Sequence, residues 1–155
     1  MPEMAPLRDA VSAQMKIAMK GGDRIRVGAL RLILAALKER EIEARGAGKV
    51  VSRADELALL AKMVRSRQES ATIYAQAGRA ELAAQESAEI DVINEFLPRQ
   101  MGDAAVIAEA KAAIAATGAM GVKDMGKVIS VLKAAHPGQM DFAKASAIVK
   151  GLLGG

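Results

Sequence analysis

The apolar residues of this chain are almost all of the types that favour helices. Hydrophobic residues make up 52% of its 155 residues, yet aromatic residues make up only 2%, and tryptophan is absent. Alanine, leucine and methionine, which have high helix propensity, supply much of the remainder. Valine, isoleucine and threonine do not form the alternating runs that indicate strands. The sequence therefore predicts an all-α protein with enough apolar surface for a buried core.

Glycine and proline residues divide the helical pattern into seven segments. The predicted helices cover residues 6–20, 23–45, 52–77, 79–96, 103–117, 124–135 and 141–153. Asp23, Ser52 and Asp141 stand at positions where a side chain can cap a helix start, and Ser52 with Asp55 approximates a capping box. Apolar residues at spacings of three and four give each segment one core-facing side.

Pro98 marks the best domain boundary, because the residue before a proline disfavours helical geometry. We therefore predict an N-terminal bundle of about four helices, residues 1–97, followed by a small three-helix domain, residues 98–155. The apolar faces predicted for the N-terminal helices include Met19 and Ile73.

No catalytic group, metal site or cofactor site is predicted. The chain has no cysteine, which excludes disulfides and thiolate ligands, and its one histidine, His136, has no second ligand at metal-binding spacing. His136 precedes Pro137 in a predicted loop and is expected on the surface. The serines lie in helical or capping contexts without a nucleophile motif.

The expected compartment is the cytoplasm. No apolar run approaches the roughly 18 residues of a membrane span, and the first residues, MPEMAPLRDAV, do not resemble a signal peptide. The lack of cysteine also suits a reducing compartment. We therefore expect no membrane partner.

Charge is segregated along the chain. Residues 8–67 contain 14 Lys or Arg against 7 Asp or Glu, residues 68–97 contain one Arg against six acids, and residues 98–155 contain seven basic residues against four acidic ones. Such segregation serves internal ion pairs as readily as an anionic ligand.

The second predicted helix carries a basic stripe. Arg24, Arg31, Lys38 and Arg45 recur every seven residues and so share one side of the helix. They could contact a nucleic-acid backbone, where each neutralised phosphate adds affinity through counterion release. Pairing with the acid-rich fourth helix is the alternative. Its acids are Glu81, Glu86, Glu89, Asp91 and Glu95.

Residues 121–127 match the opening of a nucleotide-binding P-loop, G-x-x-x-x-G-K. Val128 replaces the metal-binding hydroxyl and a helix precedes the motif in place of a strand, so hydrolysis of ATP or GTP is not predicted. Gly126 could instead leave the first turn of a helix open to a phosphate held between Lys123 and Lys127. The alternative is two solvated lysines beside Asp124.

The whole chain resembles the GatB/YqeY family, and in particular its stand-alone YqeY-like proteins. The similarity includes LRDAVSAQMKIAMKGGDRIRVGALRLILAALKEREI, ESATIYAQAGRAELAAQESAEIDVINEFLPRQM and, most specifically, GAMGVKDMGKVISVL, which contains the Asp-Met-Gly-Lys element of the family at residues 124–127. The family pattern has a Gly-x-Ala-Asp-Gly turn before the last helix, and here a bulky Phe142 follows Asp141.

The resemblance implies a function in RNA binding. The C-terminal part is similar to the tail of the B subunit of the glutamine-dependent tRNA amidotransferase, which grips tRNA while the chemistry takes place elsewhere. The chain would then be a non-catalytic accessory protein for tRNA or other structured RNA, associated with a carbon-nitrogen ligase that uses glutamine as amido-N-donor. Lys123, Gly126, Lys127, Lys144 and Lys150 would contact phosphates, and the stripe on the second helix would be a second surface. The alternative is a protein-interaction module that docks onto amidotransferase subunits or another partner.

Overall fold

The computed structural model of the chain describes residues 6–154 and divides into two compact units, one ending at Leu97 and the other beginning at Pro98. The described residues form seven α-helices, one short 3-10 helix and no strand, so the all-α prediction is confirmed. The helices are α1 Leu7–Lys20, α2 Arg24–Gly46, α3 Arg53–Gln76, α4 Ala80–Asn94, α5 Asp103–Thr117, α6 Met125–Ala135 and α7 Phe142–Leu152.

The first unit has one apolar core, to which its four helices contribute. α1 packs on α2, α3 packs mainly on α4, and α4 joins the two pairs through its contact with α2. Leu30 and Ile33 of α2, Leu60 of α3 and Ile93 of α4 are almost fully buried in this core. Interlocked apolar side chains of this kind stabilise a helical bundle far more than helix propensity does.

Two apolar residues predicted on the core faces of the N-terminal helices lie on the surface. Met19 is 54% exposed and Ile73 is 62% exposed, so both assignments are wrong. Met19 lies in the last turn of α1, and Ile73 lies near the end of α3, in a stretch without a buried residue. Helical spacing identifies an apolar side, but it does not show where the neighbouring helix ends.

The predicted helix caps are confirmed. The Asp23 carboxylate accepts a hydrogen bond from the Arg26 N–H at 3.1 Å, and Asp141 accepts one from the Ala143 N–H at 2.9 Å. Ser52 and Asp55 form a complete capping box at the start of α3. Hydrogen bonds from the backbone and side chain of Ser52, with the nearby cations Arg40 and Lys49, lower the pKa of Asp55.

The second unit is a three-helix bundle in which each helix packs on the other two. Val106, Ala110, Val128, Leu132 and Val149 are buried between the helices. The buried residues of this core are alanine, valine, leucine and methionine, so no aromatic ring is fully buried in it.

The loop before α7 is fastened to the rest of this unit. The Met101 N–H donates to the Gln139 carbonyl at 2.8 Å, and the Gln100 side chain donates to the Gly138 carbonyl at 2.6 Å. Phe142 is half-buried against the core, with the Lys133 ammonium 5.8 Å from its ring centroid. The bulky residue that departs from the family pattern is therefore a packing residue and a cation–π partner.

The sequence predicts a surface position for His136, but the structure shows this side chain partly buried and hydrogen-bonded. Its side chain is 21% exposed, its Nε2 lies 3.0 Å from Glu109 Oε2, and its Nδ1 lies 3.1 Å from Gln139 Oε1. The imidazole thus links α5 to the loop that follows α6. These contacts assign it a structural role in the second unit.

Candidate nucleic-acid interface

The basic stripe lies on the exposed side of α2. Arg24, Arg31, Lys38 and Arg45 are all exposed, and α2 is continuous from the first to the last of them. At a rise of 1.5 Å per residue, neighbouring members are about 10.5 Å apart and the whole stripe is about 31 Å long. A spacing of seven residues drifts by only about 20° per step, so the four cations stay on one side of the helix.

Two acids of the predicted fourth helix pair with other arginines. Glu89 binds Arg67 of α3 at 3.0 Å, and Glu95 binds Arg26 of α2 through both carboxylate oxygens. Within residues 6–154, none of the four stripe cations has a carboxylate within the 4.0 Å of an ion pair. Internal pairing with α4 therefore does not account for the stripe.

Three further residues lie between the four cations on the same side of α2. Gly28, Ala35 and Ile42 are exposed and follow the same seven-residue repeat, four residues after each of the first three cations. A methyl group added at Gly28 would meet no atom within 4 Å, so this part of the helix has open space in front of it. We call the seven residues together the basic face; they are Arg24, Gly28, Arg31, Ala35, Lys38, Ile42 and Arg45.

The packing of α1 on α2 adds a groove to one end of the basic face. This groove, about 300 Å³ in volume, is lined by Arg8, Ser12, Leu34, Lys38, Glu41, Ile42 and Arg45. The Arg8 guanidinium is held by Glu41 at 2.8 Å. The sequence did not point to Arg8 or Ser12, because only the contact between the two helices brings them beside Lys38 and Arg45. By contrast, the repeat of Gly28, Ala35 and Ile42 is visible in the sequence.

Other basic residues near the stripe in sequence lie elsewhere. Arg40 and Lys62 line a groove of mixed charge between α2 and α3, together with Glu39, Glu43 and Asp55. Alternating charges of both signs cancel over short distances, so this groove attracts polyanions less than the basic face does.

The start of α6 is less open than the sequence predicted. A 3-10 helix, Val122–Asp124, runs directly into α6, and the Met125 N–H already bonds to the Val122 carbonyl. The Asp124 carboxylate accepts the Met120 N–H at 3.0 Å. The Asp124 side chain makes no capping hydrogen bond to α6, but as the residue before the helix it brings a negative charge next to the turn where a phosphate was expected.

Asp124 also has a lowered pKa. The hydrogen bond from the Met120 N–H contributes most, and the Gly121 N–H, Lys127 and Lys123 favour the charged form as well. Both lysines are exposed and flank this carboxylate. Their positive charge is thus partly neutralised by Asp124.

The remaining predicted lysines lie on the surface of α7. Lys144 is exposed but forms an ion pair of 3.0 Å with Asp103. Lys150 is exposed and has no such partner in the described part of the chain. Gly126 is exposed, and a methyl group there would meet no atom within 4 Å. Of the predicted contact residues, the structure groups the four α2 cations most clearly.

In residues 6–154 no group of three or more His, Asp or Glu side chains is arranged to hold a metal ion. Within the same residues no single helix is long and apolar enough to cross a membrane; helices Asp103–Thr117 and Val122–Ala135 reach that length only as a pair bent by 94°.

Comparison with known proteins identifies the family. A search of curated proteins finds no match to the chain. The family model described as Yqey-like protein matches residues 8–153, which include all seven helices except Leu7, the first residue of α1. A match over nearly the full length establishes membership, and the chain therefore belongs to the family of Yqey-like proteins.

Proposed function

We propose that this protein binds structured RNA such as tRNA through its phosphate backbone, with the basic face of α2 as the main surface. The supporting observation is the row of four exposed cations, about 31 Å long, without carboxylate partners in the described residues. Backbone phosphates are the ligands such a row suits, because each contact releases condensed counterions.

The target is a folded RNA body. Recognition of single strands relies on aromatic side chains that stack on bases, and this chain has two Phe, one Tyr and no Trp. An A-form helix is instead recognised by its shape and by contacts to phosphates and 2′-hydroxyls. Contacts to phosphates position a protein without reading sequence, so we expect affinity with little sequence preference.

The second unit supplies a weaker surface in this proposal. Lys123, Lys127 and Lys150 are exposed, but Asp124 offsets the first two. The proposal reverses the order expected from the sequence, which had placed the main contacts in the C-terminal helices. The protein would act in the cytoplasm as an accessory to an enzyme such as the tRNA amidotransferase, without chemistry of its own. Amide transfer from glutamine by the purified chain alone would contradict this accessory role.

Salt-dependent binding of tRNA tests the proposal. Four phosphate contacts predict a loss of affinity of about 100-fold between about 50 and about 200 mM salt. In the double variant Arg31→Glu, Lys38→Glu, the slope of log affinity against log salt should fall by about two. Fluorescence anisotropy with labelled tRNA measures both quantities.

A control variant separates this surface from net charge. Lys62→Glu with Lys111→Glu makes the same change in net charge at exposed positions outside the basic face. It should retain most of the affinity of the unchanged chain. Binding of the unchanged chain that does not depend on salt, or a control variant that binds as poorly as the double variant, would reject the proposal.

A further inference from the structure

The paired helices α3 and α4 extend beyond the core of the first unit. Leu57 and Leu60 of α3 and Val92 and Ile93 of α4 are buried. No residue from 68 to 91 is buried, and this stretch includes the turn between the two helices. We call residues 68–91 the distal hairpin. A pair of helices without a third element leaves much of its apolar surface in water, and Ile73 is 62% exposed here.

The distal hairpin is acidic, and most of its acids are unpaired. It contains one basic residue, Arg79, and five acidic ones. Glu89 pairs with Arg67, which lies just outside the hairpin. The other four acids have no cation at ion-pair distance within residues 6–154. They are Glu69, Glu81, Glu86 and Asp91.

The same unit thus carries two unpartnered helical surfaces of opposite charge. Of the unpaired acids on α4, the exposed Glu81 and Asp91 lie on one side of the helix, about 80° apart, whereas the half-buried Glu86 lies on another side. The two surfaces do not satisfy one another within one copy, since no stripe cation has a carboxylate within 4.0 Å among the described residues. Charge complementarity therefore points to a contact between two copies.

We propose that the distal hairpin of one copy docks on the basic face of a second copy of this chain. Gly28 and Ala35 on α2 and the exposed Ala84 on α4 are small enough for the helices to approach closely. Ile42, 59% exposed, and Ile73 are available for apolar contacts at the same surfaces. Long basic side chains bridge the different spacings of the acids and the cations.

This contact would regulate RNA binding, an inference that rests on the proposed function. The basic face cannot hold a phosphate backbone and an acidic hairpin at once. Self-association therefore masks the RNA surface, and RNA releases one copy from the other. The full-length protein should associate at about 50 mM salt and dissociate at about 500 mM, because exposed charges are screened within a few ångströms at high ionic strength.

Complementary charge reversal tests the contact. One variant, Arg31→Glu with Lys38→Glu, reverses the basic face; a second, Glu81→Lys with Asp91→Lys, reverses the hairpin. Each variant alone should lose self-association by tenfold or more. An equimolar mixture should regain it, since each reversed surface then meets its opposite on the other variant. Sedimentation velocity measures all three samples, and recovery in the mixture also shows that both variants are folded.

Control measurements decide what a failure means. Lys62→Glu with Lys111→Glu should associate like the unchanged chain, and added tRNA should dissociate the unchanged chain. A monomer at low salt, or a mixture that stays monomeric while both variants give helical circular dichroism spectra, overturns the inference. If the hairpin variant still binds tRNA in that case, the proposed function stands. If self-association occurs but tRNA binding does not depend on salt, only the proposed function fails.

Discussion

At the residue scale, Glu56 joins two helices that are distant in sequence. Its Oε2 accepts the backbone N–H of Leu7 at 3.1 Å, so a side chain of α3 caps the start of α1. Glu56 is buried, and Arg53 lies 3.7 Å from its other oxygen. Pro6 precedes α1 and has no capping side chain, so the cap has to come from elsewhere in the fold.

Removing this cap should destabilise the first unit. We expect Glu56→Ala to lower the free energy of unfolding by about 1–3 kcal/mol, because it leaves a buried N–H without an acceptor. Glu56→Gln keeps an acceptor and should cost less. Urea unfolding of the full chain measures both, with Glu39→Ala as an exposed control. Equal stability of Glu56→Ala and the unchanged chain would contradict the assigned cap.

At the scale of the element, basic residues have different surroundings on α2 and at the start of α6. Arg24, Arg31, Lys38 and Arg45 of α2 are exposed and have no carboxylate within 4.0 Å in residues 6–154, whereas the two lysines at the start of α6 flank the carboxylate of Asp124. Repetition over three heptads builds an extended positive surface. Two lysines around a local acid do not.

A substitution at Gly126 tests whether the start of α6 contributes to RNA binding in addition to α2. Gly126 lies in the first turn of α6 with open space around it, so Gly126→Ala should stabilise the helix by a few tenths of a kcal/mol, up to about 1 kcal/mol. We expect no change in tRNA affinity, because the main contacts lie on α2. Thermal unfolding and anisotropy measure the two effects.

Gly118 provides the contrast. It ends α5 with a φ of 70°, which a residue with a side chain rarely adopts, so Gly118→Ala should destabilise the second unit by about 1–2 kcal/mol.

The outcome that would contradict the prediction for Gly126 is a change in RNA binding. If Gly126→Ala weakens tRNA binding by tenfold, the start of α6 is a phosphate site.

At the scale of the whole molecule, each unit has its own core. Gln100 and Met101 bond to the loop before α7, so they belong to the second unit although they follow closely on the boundary. A unit of this size is near the lower limit for independent folding.

Because each unit has its own apolar core, we expect each to fold without the other. We expect a fragment of residues 98–155 to be helical and to unfold cooperatively in circular dichroism. A fragment of residues 1–97 should keep most of the tRNA affinity, because it contains the basic face. An unfolded C-terminal fragment would show that its core is insufficient alone, and tighter tRNA binding by a folded C-terminal fragment would move the main surface there.

The sequence alone determined the helices and most of their ends. Helix-forming apolar residues, capping side chains at Asp23, Ser52 and Asp141, and breaks at glycine and proline act over a few residues, so local pattern is enough to predict them. The basic stripe on α2 was equally visible, since a seven-residue repeat needs only a continuous helix.

Only the tertiary structure decided which charges are free. Glu95 forms an ion pair with Arg26, 69 residues away, and Glu89 forms one with Arg67. Glu56 accepts a hydrogen bond at the start of α1. The spacing of these residues in the sequence does not predict the contacts. It also decided that Ile73 lies outside the core, because burial depends on which helix lies opposite. Ion pairs and burial depend on distances in space, and chain folding brings together residues whose separation in sequence says little about them.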